Sequence, residues 1–183
     1  LREQIEAMDG CPPGESEPTA DTRPAGPRRT TLAAATADYM DQLAAGKTSL
    51  ISLGLPDVDY AIGGGVATGE MIILAARPSH GKSAVALQVI HHATANGIPA
   101  VLISEEMSPL ALGKRTIQFA TPEYEEHWQD RADQVRGTLD AHFARRATCR
   151  VVEGCGTAKA ACDEIRRAAD EDGARLAVVD YAQ

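Results

Sequence analysis

The apolar run Glu70-Met71-Ile72-Ile73-Leu74-Ala75 passes directly into Ala76-Arg77-Pro78-Ser79-His80-Gly81-Lys82-Ser83, and Ala84 to Ala95 then reads as helix. A strand that turns into a helix through Gly-Lys-Ser is the setting of a phosphate-binding loop. Bare backbone N–H groups curl around an anion there, while a lysine and a hydroxyl reach the phosphates and a magnesium ion. Helix N-termini favour anions for the same reason. Ala76 stands where the usual pattern has its first glycine. The strand before the loop and the helix after it nevertheless supply the context the motif needs, so the junction implies a nucleotide-binding βα unit.

The remaining alternation supports an α/β fold. Asn96-Gly97 ends the first long helix, and Ala100 to Ser104 gives the next strand. Ser108-Pro109 opens a helix to Ala120. Pro122 to Arg146 reads as polar and mostly helical, with a break expected near Gly137. A short strand, Arg150-Val151-Val152, leads through Gly154 and Gly156 to another helix. In that helix Ala158, Ala161, Cys162, Ile165, Ala168 and Ala169 form one small apolar face, and Asp163, Glu164, Arg166 and Arg167 face water. Gly173 ends it, and Leu176 to Val179 forms a last strand closing on Asp180. Strands alternating with helices predict a mostly parallel sheet flanked on both sides.

Upstream, residues 1–29 form a flexible tail or linker. From Gly10 to Arg29 the sequence is Pro, Gly, Ser, Thr and charge, with too little apolar surface to order itself. Residues 30–47 carry an amphipathic helix, Thr31 to Ala45, capped near Thr30 or Thr31. Residues 48–183 begin the main domain with a turn, one helical turn and the glycines Gly63, Gly64 and Gly65.

Composition closes off several classes. In 183 residues, the longest apolar runs fall far short of a membrane span, and the N-terminus lacks a signal peptide's basic start and apolar core, so a cytoplasmic protein is expected. Because the chain starts at Leu1, it is expected to begin inside a longer reading frame. A net charge of −8 argues against a broad basic surface, and any nucleic-acid site must be local. Cys11, Cys149, Cys155 and Cys162 form no Cys-x-x-Cys pair and read as free thiols.

Ligands of such sheets bind beyond the carboxyl ends of the strands, so acids there carry the chemistry. Asp180 suits a magnesium-holding carboxylate, or a cap for the next turn. Glu105 and Glu106 follow the Ala100–Ser104 strand. Either can orient and deprotonate an attacking water, or act as a first-turn helix acid.

The motifs Leu53-Gly54-Leu55-Pro56-Asp57-Val58-Asp59, Gly63-Gly64-Gly65, Ala75 to Ser83, Ser104-Glu105-Glu106-Met107-Ser108, Arg115 and Val179-Asp180-Tyr181-Ala182-Gln183 together closely resemble the RecA-like ATPase domain of DnaB-type replicative helicases. The resemblance runs in order from Ser49 to Gln183. It implies ATP and Mg²⁺ as cofactors, with Arg77, Pro78, Ser79, His80, Gly81, Lys82, Ser83 and Asp180 binding the nucleotide. Lys82 then contacts the β- and γ-phosphates, Ser83 ligates Mg²⁺, Asp180 is the Walker B acid, and Glu106, aligned by Met107, activates water. Glu105 stands where the family usually has Leu, and a second carboxylate beside the first can raise the pKa of the base. His80 replaces a common Met.

The resemblance also implies a homo-hexamer acting on single-stranded DNA, with a primase and a helicase loader as further partners and the Thr31–Ala45 helix as a linker helix docking on a neighbouring subunit. In that family a sensor strand, the DNA-contacting loops and an arginine finger follow the Walker B strand. A fragment ending here is expected to lack the strand between those carrying Lys82 and Asp180, and to turn over ATP weakly or not at all. The competing expectations are a RecA-like regulatory or recombination ATPase of the KaiC or RadA type, and a nucleotide-binding module without turnover.

Overall fold

The computed structural model describes residues 29–46, 49–77 and 79–180. The expectations for residues 1–28, including Cys11, and for Pro78 and Tyr181 to Gln183 concern residues outside that set. The chain divides into two units, 1–37 and 38–183, with the boundary inside the first helix, α1 (Leu32–Ala44). The Thr31 hydroxyl caps α1 by accepting the Ala34 amide at 3.2 Å, close to the expected start, and α1 buries none of its residues.

The second unit is built on a parallel sheet of three strands, β3 (Ala100–Ser104), β4 (Cys149–Glu153) and β5 (Leu176–Asp180), in the order β4-β3-β5. A small antiparallel pair, β1 (Leu50–Ile51) with β2 (Val66–Ala67), precedes it, and α2 (Pro56–Ala61) lies between these two short strands. Gly65 lets β2 approach β1 closely. Its φ is 143°, and a Cβ there would fall 2.5 Å from the Ile51 carbonyl oxygen.

Every residue of β3 is buried, as its unbroken apolar run requires of a central strand. Its side chains alternate between two cores. Leu102 joins Leu87 and Ile90 of α3 (Lys82–Ala95) and Leu112 of α4 (Pro109–Ala120) on one face. On the other face, Val101 and Ile103 pack on Ala161 and Ala168 of α6 (Ala158–Asp172). Burial of side chains of this size stabilises by about 1.5–3 kcal/mol each. The small alanines let α6 lie close to the sheet; Thr157 caps its start, and it ends as expected at Gly173, φ 66°.

Three local expectations are corrected. The apolar segment Glu70–Ala75 forms no strand: residues 70–77 carry no ladder and are exposed, Met71 at 82% and Ile73 at 78%. Apolar, β-branched composition makes a segment able to pair, but a ladder needs a neighbour. β5 has β3 on one side and no described strand on the other. Next, the break between Pro122 and Arg146 does not fall at Gly137. A single 3-10 turn, Glu125–His127, precedes α5 (Ala132–Phe143), which runs straight through that glycine. Gly in a helix interior costs about 1 kcal/mol, an amount that packing of α5 against α4 offsets. Last, Cys162 and Ala169 are exposed, so the buried stripe of α6 is narrower than its spacing suggested, and Glu164 is half-buried beside Arg167.

Two polar clusters tie α3 to its surroundings. Ser52 Oγ donates to Asp59 Oδ2 at 2.7 Å and lies 3.1 Å from His92 Nε2, while the Leu53 amide donates to Asp59 Oδ1 at 2.8 Å. This lock fastens the 52–59 turn to the end of α3. On the sheet's α3 side, buried His91 stacks on Phe119 with centroids 4.5 Å apart and packs edge-on against His142. Arg146 donates to the His91 carbonyl. The three described cysteines are free.

Candidate nucleotide-binding site

α3 runs antiparallel to β3, because Gly97, Ile98 and Pro99 return the chain directly from one to the other. The C-terminal end of α3 is fixed at the start of β4, where the Ala147 amide donates to the Thr94 carbonyl at 2.9 Å. The head of α3, Lys82 and Ser83, therefore lies at the carboxyl edge of the sheet. Gly81 at φ 82° caps α3, and its carbonyl takes the Val85 amide at 3.0 Å. Amides of the first helical turn have no partner within a helix and so remain available to an anion.

Ser79 has a φ of 63°, the one positive value on a non-glycine residue among those described. Left-handed backbone on such a residue costs about 1 kcal/mol or more and clusters at ligand-holding loops. The loop is closed by the His80 amide donating to the Arg77 carbonyl at 3.3 Å, and Lys82 Nζ reaches back over it to the Ala76 carbonyl at 3.4 Å.

On the sheet, parallel pairing puts Ser104, Glu153 and Asp180 in one row across the carboxyl edge. Asp180 is 8% exposed there, the last residue of β5. Ser104 is fully buried, and its hydroxyl both accepts the Met107 amide at 3.1 Å and donates to the Met107 carbonyl at 2.8 Å. That pair of bonds closes the turn holding Glu105 and Glu106. The Glu105 amide donates to the Asp180 carbonyl at 2.8 Å, and its carboxylate takes the Gly156 amide. Glu106 is exposed and makes no hydrogen bond or ion pair with the described residues.

The structure thus gathers Lys82, Ser83, Asp180, Glu105 and Glu106 at one edge of the sheet, with Arg77, Ser79, His80 and Gly81 in the loop beside them. It also brings in Gly156, whose only sequence signal was a Gly-Cys-Gly stretch after β4. The Ser52, Asp59 and His92 group does not form a nucleophilic site. The serine sits between the acid and the histidine, whereas a triad needs the histidine in the middle. An apolar cleft of about 1050 Å³, lined by Leu87, Ile90, Leu112, Trp128 and Phe143, lies between the sheet and α4 and α5. None of the phosphate-loop or edge acids lines it, so chemistry and not cavity size locates the site.

A parallel sheet with helices on both faces, and a glycine-lysine-serine loop heading a helix at its carboxyl edge, defines a RecA-like P-loop domain. Residues 51–183 match the family of the DnaB-like helicase C-terminal domain, and the chain belongs to that family. No curated protein matches the chain. Among the described residues, no helix is long and apolar enough to cross a membrane.

Proposed function

We propose that this chain supplies the ATP-hydrolysing core of a replicative DNA helicase, coupling hydrolysis to translocation on single-stranded DNA and duplex unwinding. Beyond family membership, the observation that carries the reading is that the phosphate loop, a strand-end aspartate and a glutamate with no partner among the described residues all lie at the carboxyl edge of the sheet. Lys82 contacts the β- and γ-phosphates of ATP, and the amides of Gly81, Lys82 and Ser83 receive the remaining phosphate oxygens. Arg77, Ser79 and His80 complete the loop.

The donor set fits Mg²⁺, a hard ion that takes few protein oxygens and keeps several waters: the Ser83 hydroxyl and the Asp180 carboxylate are both oxygen ligands. Among the described residues, no group of three or more His, Cys, Asp or Glu gathers into a site for a softer metal. When bound, Mg²⁺ neutralises charge on the phosphates. Glu106 orients the attacking water and accepts its proton, a role suited to an exposed carboxylate with no partner among the described residues. On this reading the domain works in a cytoplasmic homo-hexamer, α1 docks on a neighbouring subunit, and a primase and a loader join the ring.

The test is ATP hydrolysis by the full-length protein with and without single-stranded DNA, beside Glu106→Gln. DNA-stimulated turnover that falls by about 10²-fold or more in the variant supports a DNA motor with Glu106 as its base. Turnover indifferent to DNA points instead to a RecA-like regulatory or recombination ATPase, and nucleotide binding without turnover points to a binding module.

A further inference from the structure

Two adjacent carboxylates follow β3, yet the structure treats them differently. Both oxygens of Glu105 lie 3.2 Å from the Gly156 amide, which donates across to them from the loop between β4 and α6. That loop is shaped for the contact: Gly154 and Gly156 have φ values of 69° and 67°, and the Gly154 amide donates to the Ser104 carbonyl at 3.2 Å. The Glu105 amide is committed as well, to the Asp180 carbonyl. Residue 105 therefore joins the ends of all three sheet strands, while Glu106 beside it has no partner among the described residues.

We propose that Glu105 is a positioning residue for Glu106. Its carboxylate anchors the turn after β3 to the Gly156 loop, which removes one of two neighbouring acids from competition and presents the other to the nucleotide. Ser104 and Met107 close the ends of the turn and the Glu105 amide ties it to β5; the Glu105–Gly156 bond adds a side-chain tie to the loop after β4. The inference rests on Glu106 being the group that activates water.

Glu105→Gln keeps a carboxamide oxygen for the Gly156 amide, and Glu105→Leu removes every acceptor. In DNA-stimulated ATP hydrolysis by the full-length protein, Glu105→Leu lowers kcat about tenfold with KM for ATP within about twofold, since small misplacements of a reacting group cost rate more than binding. Glu105→Gln stays within about twofold of the parent in both, a rescue that only the hydrogen bond explains. Affinity for a non-hydrolysable ATP analogue is measured for each variant and stays unchanged.

Unaltered kcat in Glu105→Leu overturns the proposal, and so does a Glu105→Gln variant as slow as Glu105→Leu. Loss of analogue binding along with turnover overturns it too, because the residue would then be supporting the fold. Glu106→Gln, run alongside, isolates the underlying reading: turnover that survives there refutes Glu106 as the base, whatever the Glu105 variants do.

Discussion

The Glu105 amide and the Asp180 carbonyl are hydrogen-bonded at 2.8 Å, so the acidic turn after β3 and the acid that ends β5 are held together by main chain. Their spacing does not depend on side-chain rotamers. Backbone bonds of this kind keep a site rigid without occupying the carboxylates that would do its chemistry.

Stability should fall on mild acidification. Burial lowers the His91 pKa from 6.5 to about 4, and His142 and Arg146 beside it add to the shift; burial and Arg146 also lower His142. Phe119, the partner across the stack, brings no compensating charge. The unfolded chain therefore binds more protons below pH 6.5, and stability is lost progressively from there down to about 4. The loss from His91 is at most ~3 kcal/mol. Thermal melts between pH 7.5 and 4.5 should show this slope, and His91→Phe should flatten it; an equal slope in the variant would place the effect elsewhere.

The Ser52, Asp59 and His92 lock is expected to be sensitive to a single methyl group. Gly54 has a φ of 71°, and a Cβ there would lie 2.4 Å from His92 Cγ. Gly54→Ala combines backbone strain with the expulsion of the His92 ring, and it should destabilise by about 2–4 kcal/mol in urea titration. Ser52→Ala, which loses the hydroxyl that donates to Asp59, should cost about 1 kcal/mol. A Gly54→Ala protein as stable as its parent would show that the turn is not fastened to α3 in solution.

Thiol labelling should discriminate the three described cysteines. Burial pushes the Cys149 thiol up to about 11, against a smaller opposing effect of its hydrogen bond with the Leu102 backbone. Cys155 is also raised, by burial first and then by Glu105 and Glu164. Cys162 is exposed on α6. Because the thiolate is the nucleophile, alkylation at pH 8 followed by mass spectrometry should modify Cys162 first, and Cys149 only when urea is added. Early labelling of Cys149 would mean that the face of β4 toward α3 opens readily.

Punctuation residues made most of the architecture readable. Thr31 and Ser108 each cap the helix they were expected to start, and Gly97 and Gly173 take the left-handed conformation after the helices they end. Such signals are local, so the chain states them directly. The unpaired state of Met71 to Leu74 is not local: the same residues read as a strand, and only the absence of a described neighbour leaves them outside the sheet. Gly137 misled for a related reason, since packing of α5 outweighs a modest local cost. The position of Lys82 and Ser83 at the head of α3 and of Asp180 at the end of β5 was legible from motif and strand pattern. The difference in hydrogen bonding between Glu105 and Glu106 was not, because it depends on an amide that arrives in sequence only after another strand.

The order of the sheet has a consequence for how the chain comes off the ribosome. β3 occupies the middle, yet both of its partners are made later, and β5 last of all. Until they emerge, a mostly apolar strand waits with both of its edges bare, and pairing across such long intervening segments is slow. The exposed Met71 to Leu74 ribbon adds a second adhesive stretch during the same interval. Synthesis rate and chaperone supply, as much as the finished contacts, will therefore decide how much of this protein reaches its native state.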